Sequence, residues 1–392
     1  MTSEERRAAR RFRRAERRQR KKRELYGDCD DFNKVFTYKH LYHAYRKARR
    51  GTTWKGSVQR FSMLAPLNVQ ALKQKLRRGT YKSPGFREFD TYERGVKRHI
   101  KSVVISERVV QRCLCDYALV PILSQSFIYD NGASMKGKGY SFAINRITAK
   151  LRQHYRKHGN EGYILLYDFS KFFDRVSHEL VKRIVHDSFK DARLIQLAVH
   201  FIDMFGSIGL GLGSQISQVL ALTSANTLDH SVKELMRIRD YIRYMDDGAI
   251  ISISKARLVQ CLRLMRWICK KLRIRLNSKK TQIVKLSHGF TWLKVRFYLT
   301  SKGRVVRKIY KWSITKQRHR MKKLFIRYAE GAIPFETVRH SFESWRAYAK
   351  SFHAKQTIRN MLKFFNRLTE VYGGEKIICF TSKSQMCRMA LS

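Results

Sequence analysis

Residues 241–250 read "YIRYMDDGAI", with two adjacent aspartates, Asp246 and Asp247, set in an apolar stretch. Neighbouring carboxylates repel, and burying either one without a partner is costly. Alone, such a pair is a common turn feature. Here the flanks continue as "YIRYMDDGAIISIS", two apolar runs that predict a hairpin with the aspartates near its turn. A second isolated aspartate, Asp168, lies at the end of "YILLYDF" (163–169), which its length and the Gly162 boundary mark as a buried strand. Carboxylates on adjacent strands can share two Mg²⁺ ions, because Mg²⁺ takes a few carboxylates, water and substrate phosphates rather than a full protein cage. Two such ions, roughly 4 Å apart, activate a hydroxyl nucleophile and stabilise a pyrophosphate leaving group. They would also compensate the charge that makes the aspartate pair unfavourable.

Outward from this centre, strands and helices alternate. "SHELVKRIVHDSF" predicts a helix with Ser177 as N-cap and Glu179 in its first turn. "ARLVQCLRLMRWICKKLRI" is a strongly periodic amphipathic helix. Residues 33–90 are mostly helical: Phe36, Leu41 and Tyr45 share one side, and Gly51 can end that helix. From 98 to 124 a β-branched strand passes into a helix that stops near Pro121. Residues 312–370 hold helices rich in Lys, Arg and aromatics, with Met321, Leu324, Phe325 and Tyr328 at core spacing. Four prolines and no repeat leave the boundaries soft. The pattern predicts an α+β sheet domain with a helical appendage.

The 392 residues carry 83 Lys+Arg against 30 Asp+Glu, a net charge of +53. Self-repulsion on that scale destabilises a compact fold unless a polyanion neutralises it, and nucleic acid is the expected polyanion. A membrane is excluded as a spanning partner, since no apolar run approaches the roughly 20 residues a helix needs. The basic N-terminus lacks the apolar segment of a secretion signal. Seven scattered cysteines without a C-x-x-C pair predict reduced thiols in a cytoplasmic protein, not a zinc site. Residues 4–24 hold 12 basic and four acidic residues and almost nothing to bury, a single-sign arm suited to RNA that would fray when free.

The acidic blocks together resemble the reverse transcriptase family, in its bacterial branches from mobile introns, retrons, diversity-generating elements and antiviral defence. The likeness spans about 93–300 and continues more weakly to 370. It implies a right-hand polymerase fold: a basic arm (1–30), fingers with the start of the palm (31–160), an antiparallel palm sheet with the catalytic blocks (161–300), a helical thumb (301–372) and an unassigned tail (373–392). "YILLYDFSKFFDRVSHELV" resembles the first catalytic block and "YMDD" the second. By that match Asp168, Asp246 and Asp247 are the catalytic metal ligands, with Asp247 the weakest, and Asp174 stays outside the site. The implied cofactor is a pair of Mg²⁺ ions, or Mn²⁺ in their place.

Phe173 matches the aromatic position that blocks a ribose 2′-hydroxyl, which implies dNTP substrates. "LGLGSQISQVLALTSAN" (210–226) resembles the loop and helix that hold the template and nascent base pair, with Gly213 allowing close backbone approach and Gln218 replacing a common proline. Leu212 stands where many relatives have glutamine, which implies relaxed fidelity. "RIRLNSKKTQIVKL" (273–286) resembles the block whose lysine, here Lys280, lies near the triphosphate and can protonate departing pyrophosphate. "GFTWLKVRFYL" (289–299) resembles the primer-holding hairpin, with Lys294 in place of glycine, so a different local turn is expected. In "KRHIKSVVISERVVQRCL", Arg98 matches the arginine that clamps the incoming triphosphate and Arg108 the basic residue before the helix; forked guanidinium hydrogen bonds suit phosphate.

The resemblance implies an RNA-directed DNA polymerase whose partners are a structured non-coding or template RNA, the cDNA product and dNTPs. The sequence after the thumb is too short for the maturase and endonuclease regions of a mobile-intron enzyme, and the thumb lacks the retron Val-Thr-Gly triplet. A diversity-generating role and an antiviral defence role both stay open. The alternative is a non-catalytic RNA-binding protein that kept the fold, for which loss of one of the three aspartates would be expected.

Overall fold

The computed structural model describes residues 3–93, 96–211 and 213–377. Leu212, the end of the tail and the side chains of residues 93–99, Arg98 among them, lie outside the described residues. Two compact units are formed: one takes the chain up to Ile147 with Leu165–Gln282, and the other takes Thr148–Ile164 with the chain from Ile283 onward.

The first unit begins with one helix over the whole basic arm, Ser3–Cys29, with Glu4 and Glu5 in the first turn, where carboxylates complement the helix dipole. Thr37 caps the helix Tyr38–Ala48 by accepting from the His40 N–H, and Leu41, Ala44, Tyr45 and Ala48 form its buried stripe. Strands β1 (Phe86–Glu93) and β2 (Val96–Val103) pair antiparallel, Phe86 opposite Val103. The next helix, Ile105–Leu114, continues through a π-turn at Cys115–Leu119 and carries helical backbone past Pro121 to Leu123. The reason is local: the Val120 N–H reaches back to the Cys115 carbonyl, so the register has already shifted where proline lacks its donor.

The central sheet contains β3 (Tyr163–Asp168), β4 (Tyr241–Tyr244), β5 (Asp247–Ser252) and β6 (Gln282–Lys285) in the order β4-β5-β3-β6. The predicted hairpin is present, with Tyr244 paired to Asp247. Ser177 caps the helix His178–Ser188 by accepting from the Leu180 N–H. Helix Lys255–Lys271 packs on β5 and buries Leu258, Cys261, Met265 and Ile268.

In the second unit β7 (Phe290–Trp292), β8 (Val295–Leu299) and β9 (Val305–Ile309) form an antiparallel meander, followed by helices Lys311–Ala329, Phe335–Lys350 and Lys355–Tyr372. Met321, Phe325, Phe342 and Phe365 are fully buried among these helices, as the spacing predicts for the first two, while Leu324 and Tyr328 are half-buried. The β7–β8 turn puts Leu293 at φ 47° and Lys294 at φ 63°. A two-residue turn of this hand needs φ > 0 at both positions, so the chain bears the strain of a lysine there rather than avoiding it.

Candidate active site

β3 delivers Asp168 at its end, 5% exposed. The main chain beyond it forks to two other segments. The Phe169 N–H donates to the Asp246 carbonyl at 3.1 Å, and the Asp168 carbonyl accepts from the Asn277 N–H at 2.8 Å. These bonds bring the end of β3, the β4–β5 turn and the segment 277–280 together. The Asp168 carboxylate then accepts from Asn277 Nδ2 at 3.2 Å and from Lys280 Nζ at 2.7 Å. The Asp168 hydrogen bond holds the Lys280 ammonium above its ordinary pKa, with smaller help from the charges of Asp247 and Asp246.

Asp247 opens β5. Burial, then the charges of Asp246 and Asp168, push its carboxyl up to about 7, and Lys280 opposes them. The three acids therefore feel one another. Among the described residues no group of three or more His, Cys, Asp or Glu side chains is spaced as a metal cage. The donor set still fits Mg²⁺, a hard cation held by a few carboxylates plus substrate phosphates, and a divalent cation would relieve the repulsion that raises Asp247.

The turn itself is held from below. Met245 lies at φ 54°, and its carbonyl accepts from Arg243 Nη1 at 2.9 Å. Arg243 and Asp229 are both fully buried, with the guanidinium forked onto the carboxylate, Nη2 to Oδ2 at 2.6 Å and Nε to Oδ1 at 2.8 Å. Arg243 Nη2 also donates to the Leu222 carbonyl at 3.1 Å, and Tyr241 and Tyr167 extend the network, the Tyr241 hydroxyl donating to Asp229 at 2.5 Å. A Cβ on Gly248 would lie 2.2 Å from the Tyr167 ring, which is why glycine follows the aspartates.

Asp168, Asp246, Asp247 and Lys280 thus form one cluster. Half-buried Phe173 meets Phe172 edge-on, and its carbonyl accepts from the Leu210 N–H at 2.7 Å, which ties the first acidic block to the glycine loop. Gly213 takes φ 105°, a conformation a side chain would strain. Next to it Ser214 Oγ donates to Gln111 Oε1 at 3.1 Å, and Gln111 Nε2 donates to buried Glu107 at 2.9 Å. Gln218 Oε1 accepts from Ser134 at 3.1 Å. Arg108 is half-buried and has no carboxylate partner among the described residues; burial and then Arg112 lower its pKa. The backbone of Arg98 lies in β2 opposite Thr91.

Sequence reading missed Asn277, Asp229 and Arg243. A cation inside an apolar strand was a signal for Arg243, whereas nothing local marked Asp229 as its partner.

Comparison with known proteins agrees with the acidic blocks. The family model "Reverse transcriptase (RNA-dependent DNA polymerase)" matches residues 63–297. Protein YkfC of Escherichia coli K12 is 24% identical over 271 residues, 58% of this chain and 70% of its own. Among solved structures, telomerase from Candida albicans, in complex with a fragment of telomeric RNA, is similar with TM-score 0.45 and 10% identity over 76% of this chain. Apo telomerase from Candida tropicalis is similar with TM-score 0.42 and 14% identity over 57% of this chain. The chain spans 62% and 55% of the lengths of those two telomerase chains. The match over most of the chain, on the segment that holds Asp168, Asp246 and Asp247, places it in the reverse transcriptase (RNA-dependent DNA polymerase) family.

Proposed function

We propose that the chain extends a primer on a structured RNA template, making cDNA from dNTPs with Mg²⁺, or Mn²⁺ in its place. The observation that carries the reading is the cluster: the Phe169 N–H bonded to the Asp246 carbonyl, with Asp247 pushed up by burial and then by its two acidic neighbours. When bound, a metal pair would activate the primer hydroxyl and take up charge on the leaving pyrophosphate. Asp168, Asp246 and Asp247 would hold it. Lys280 keeps a proton beside Asp168, available to the leaving group. Arg98 and Arg108 would fork onto the triphosphate, and the Phe173 ring would exclude a 2′-hydroxyl. Gly213 would let the backbone approach the nascent base pair, and Gln218 would hold the template side.

The fingers, palm and thumb are assigned to 31–160, 161–300 and 301–372. A cytoplasmic setting is supported by the free, buried thiols of Cys29, Cys113, Cys115, Cys261 and Cys269. No described helix is long and apolar enough to cross a membrane. The biological setting is a diversity-generating element or an antiviral defence system, which the RNA and cDNA that co-purify with the protein will distinguish.

The test is primer extension on a defined RNA by wild type and Asp246→Ala, with RNA affinity measured in parallel. Extension should fall by about 10³-fold or more, equivalent to about 4 kcal/mol of barrier, while RNA affinity stays within twofold. Near-normal extension by the variant would refute the site. RNA binding without any incorporation by wild type would favour the non-catalytic alternative.

A further inference from the structure

A cleft of about 400 Å³ opens beside the C-terminal end of helix Lys255–Lys271. Its walls carry five cations, Arg175, Arg266, Lys270, Arg273 and Arg275, and no carboxylate. Only Arg273 has an acidic partner, Glu179 at 3.6 Å on the exposed side; the other four have none among the described residues. Arg266 and Lys270 stand four residues apart on one helix face, a like-charge spacing that destabilises the helix. Arg273 adds a further cost, because it turns the chain at φ 56°. The floor includes Thr281, whose hydroxyl is buried without a hydrogen-bond partner. Repelling cations lining one cleft, with no carboxylate among them, are a site for an oxyanion with several acceptor oxygens. Guanidinium groups match phosphate in both geometry and charge.

We propose that this cleft binds phosphate, either a phosphodiester of the nucleic-acid backbone or a free polyphosphate. Its lining includes none of Asp168, Asp246, Asp247 and Lys280, although its wall residues Ser278 and Thr281 flank Lys280 in the chain. The proposal concerns binding alone and does not depend on the polymerase reading. Arg266 and Lys270 are exposed at the rim, so truncating them spares the core. Lys255 and Arg263, exposed on the same helix but outside the cleft, are a control of equal charge.

The full chain, the double variant Arg266→Ala/Lys270→Ala and the control double variant Lys255→Ala/Arg263→Ala are titrated with two probes. One is inorganic tripolyphosphate, followed by calorimetry. The other is a single-stranded RNA lacking a terminal phosphate, followed by anisotropy across a salt series. If the backbone is the ligand, the cleft variant lowers the slope of log affinity against log salt by about 1.4, about 0.7 for each contact with a single strand, and the control does not. If a free polyphosphate is the ligand, the cleft variant weakens tripolyphosphate at least tenfold and leaves the RNA slope unchanged. Equal effects of the two double variants on both probes, or no effect of either, would overturn the proposal.

Discussion

Two hairpin turns in this protein place ordinary side chains in the left-handed region, Met245 between β4 and β5 and Leu293–Lys294 between β7 and β8. Beneath Met245 lies a buried guanidinium, forked onto Asp229 and donating to the turn's own carbonyl. The Leu293–Lys294 turn closes a hairpin in which Phe290 and Phe297 stack 5.2 Å apart and Trp292 pairs with Val295. Strained backbone persists where its surroundings over-determine it. The acidic turn is over-determined by a charged network, and the second turn holds a lysine at positive φ. The same backbone feature should therefore respond to mutation with opposite signs.

The largest expected effect is at Arg243. Arg243→Met leaves Asp229 buried without its cation, the Tyr241 hydroxyl its remaining donor, so urea unfolding should show a loss of about 3–5 kcal/mol. Adding Asp229→Leu removes the orphan charge and should recover much of that stability, because apolar replacements of buried pairs are often close to neutral. Primer extension should stay low in the double variant, since the Met245 carbonyl has still lost its donor. Recovery of both properties would show that the turn does not need Arg243.

Gly248→Ala probes the other face of the same turn. The new methyl meets the ring of Tyr167, which is buried and hydrogen-bonded to Tyr241, so it cannot swing away. Overpacking of this kind costs about 1–3 kcal/mol. An unchanged unfolding midpoint would show that the hairpin has slack the geometry does not suggest.

Phe173→Ala tests the neighbouring segment, which is tied to the glycine loop but not to the charged network. Folding should be little affected, while the preference for dNTPs over rNTPs should fall about tenfold, equivalent to about 1.4 kcal/mol. Competition between the two nucleotides in single-turnover extension measures it, and an unchanged ratio would reduce Phe173 to packing.

The smallest effect has the opposite sign. Lys294→Gly should relieve the left-handed strain and raise stability by about 0.5–1 kcal/mol, once the extra chain entropy of glycine is subtracted. A lower melting temperature would mean that the lysine side chain contributes more than its backbone costs.

Legibility in the sequence followed the range of the interactions. The β3 strand, the β4–β5 hairpin, the Ser177 cap and the helix after Ser254 were all readable, because period, caps and glycine boundaries act over a few residues. The continuation past Pro121 was not, since a shift of one hydrogen bond into π geometry leaves no trace in composition. Lys280 was singled out for the triphosphate. Its ammonium rests on Asp168, a carboxylate far away in the chain.

By itself, the sequence determined the chemistry: three acids at the ends of apolar strands, an aromatic after the first, and a surplus of cations that calls for a polyanion. It determined these because charge, polarity and local periodicity belong to residues and short segments. The tertiary structure alone decided what sits beneath the aspartates and which cations stay unpaired. Asp229 meets Arg243, and Asn277 meets Asp168, only because sheet pairing and helix packing close those distances. Likewise Arg175 joins Arg266 and Lys270 around one cleft only once the helix after Ser254 has docked on β5. Buried partnership depends on which surfaces lose water together, and that is a property of the folded chain.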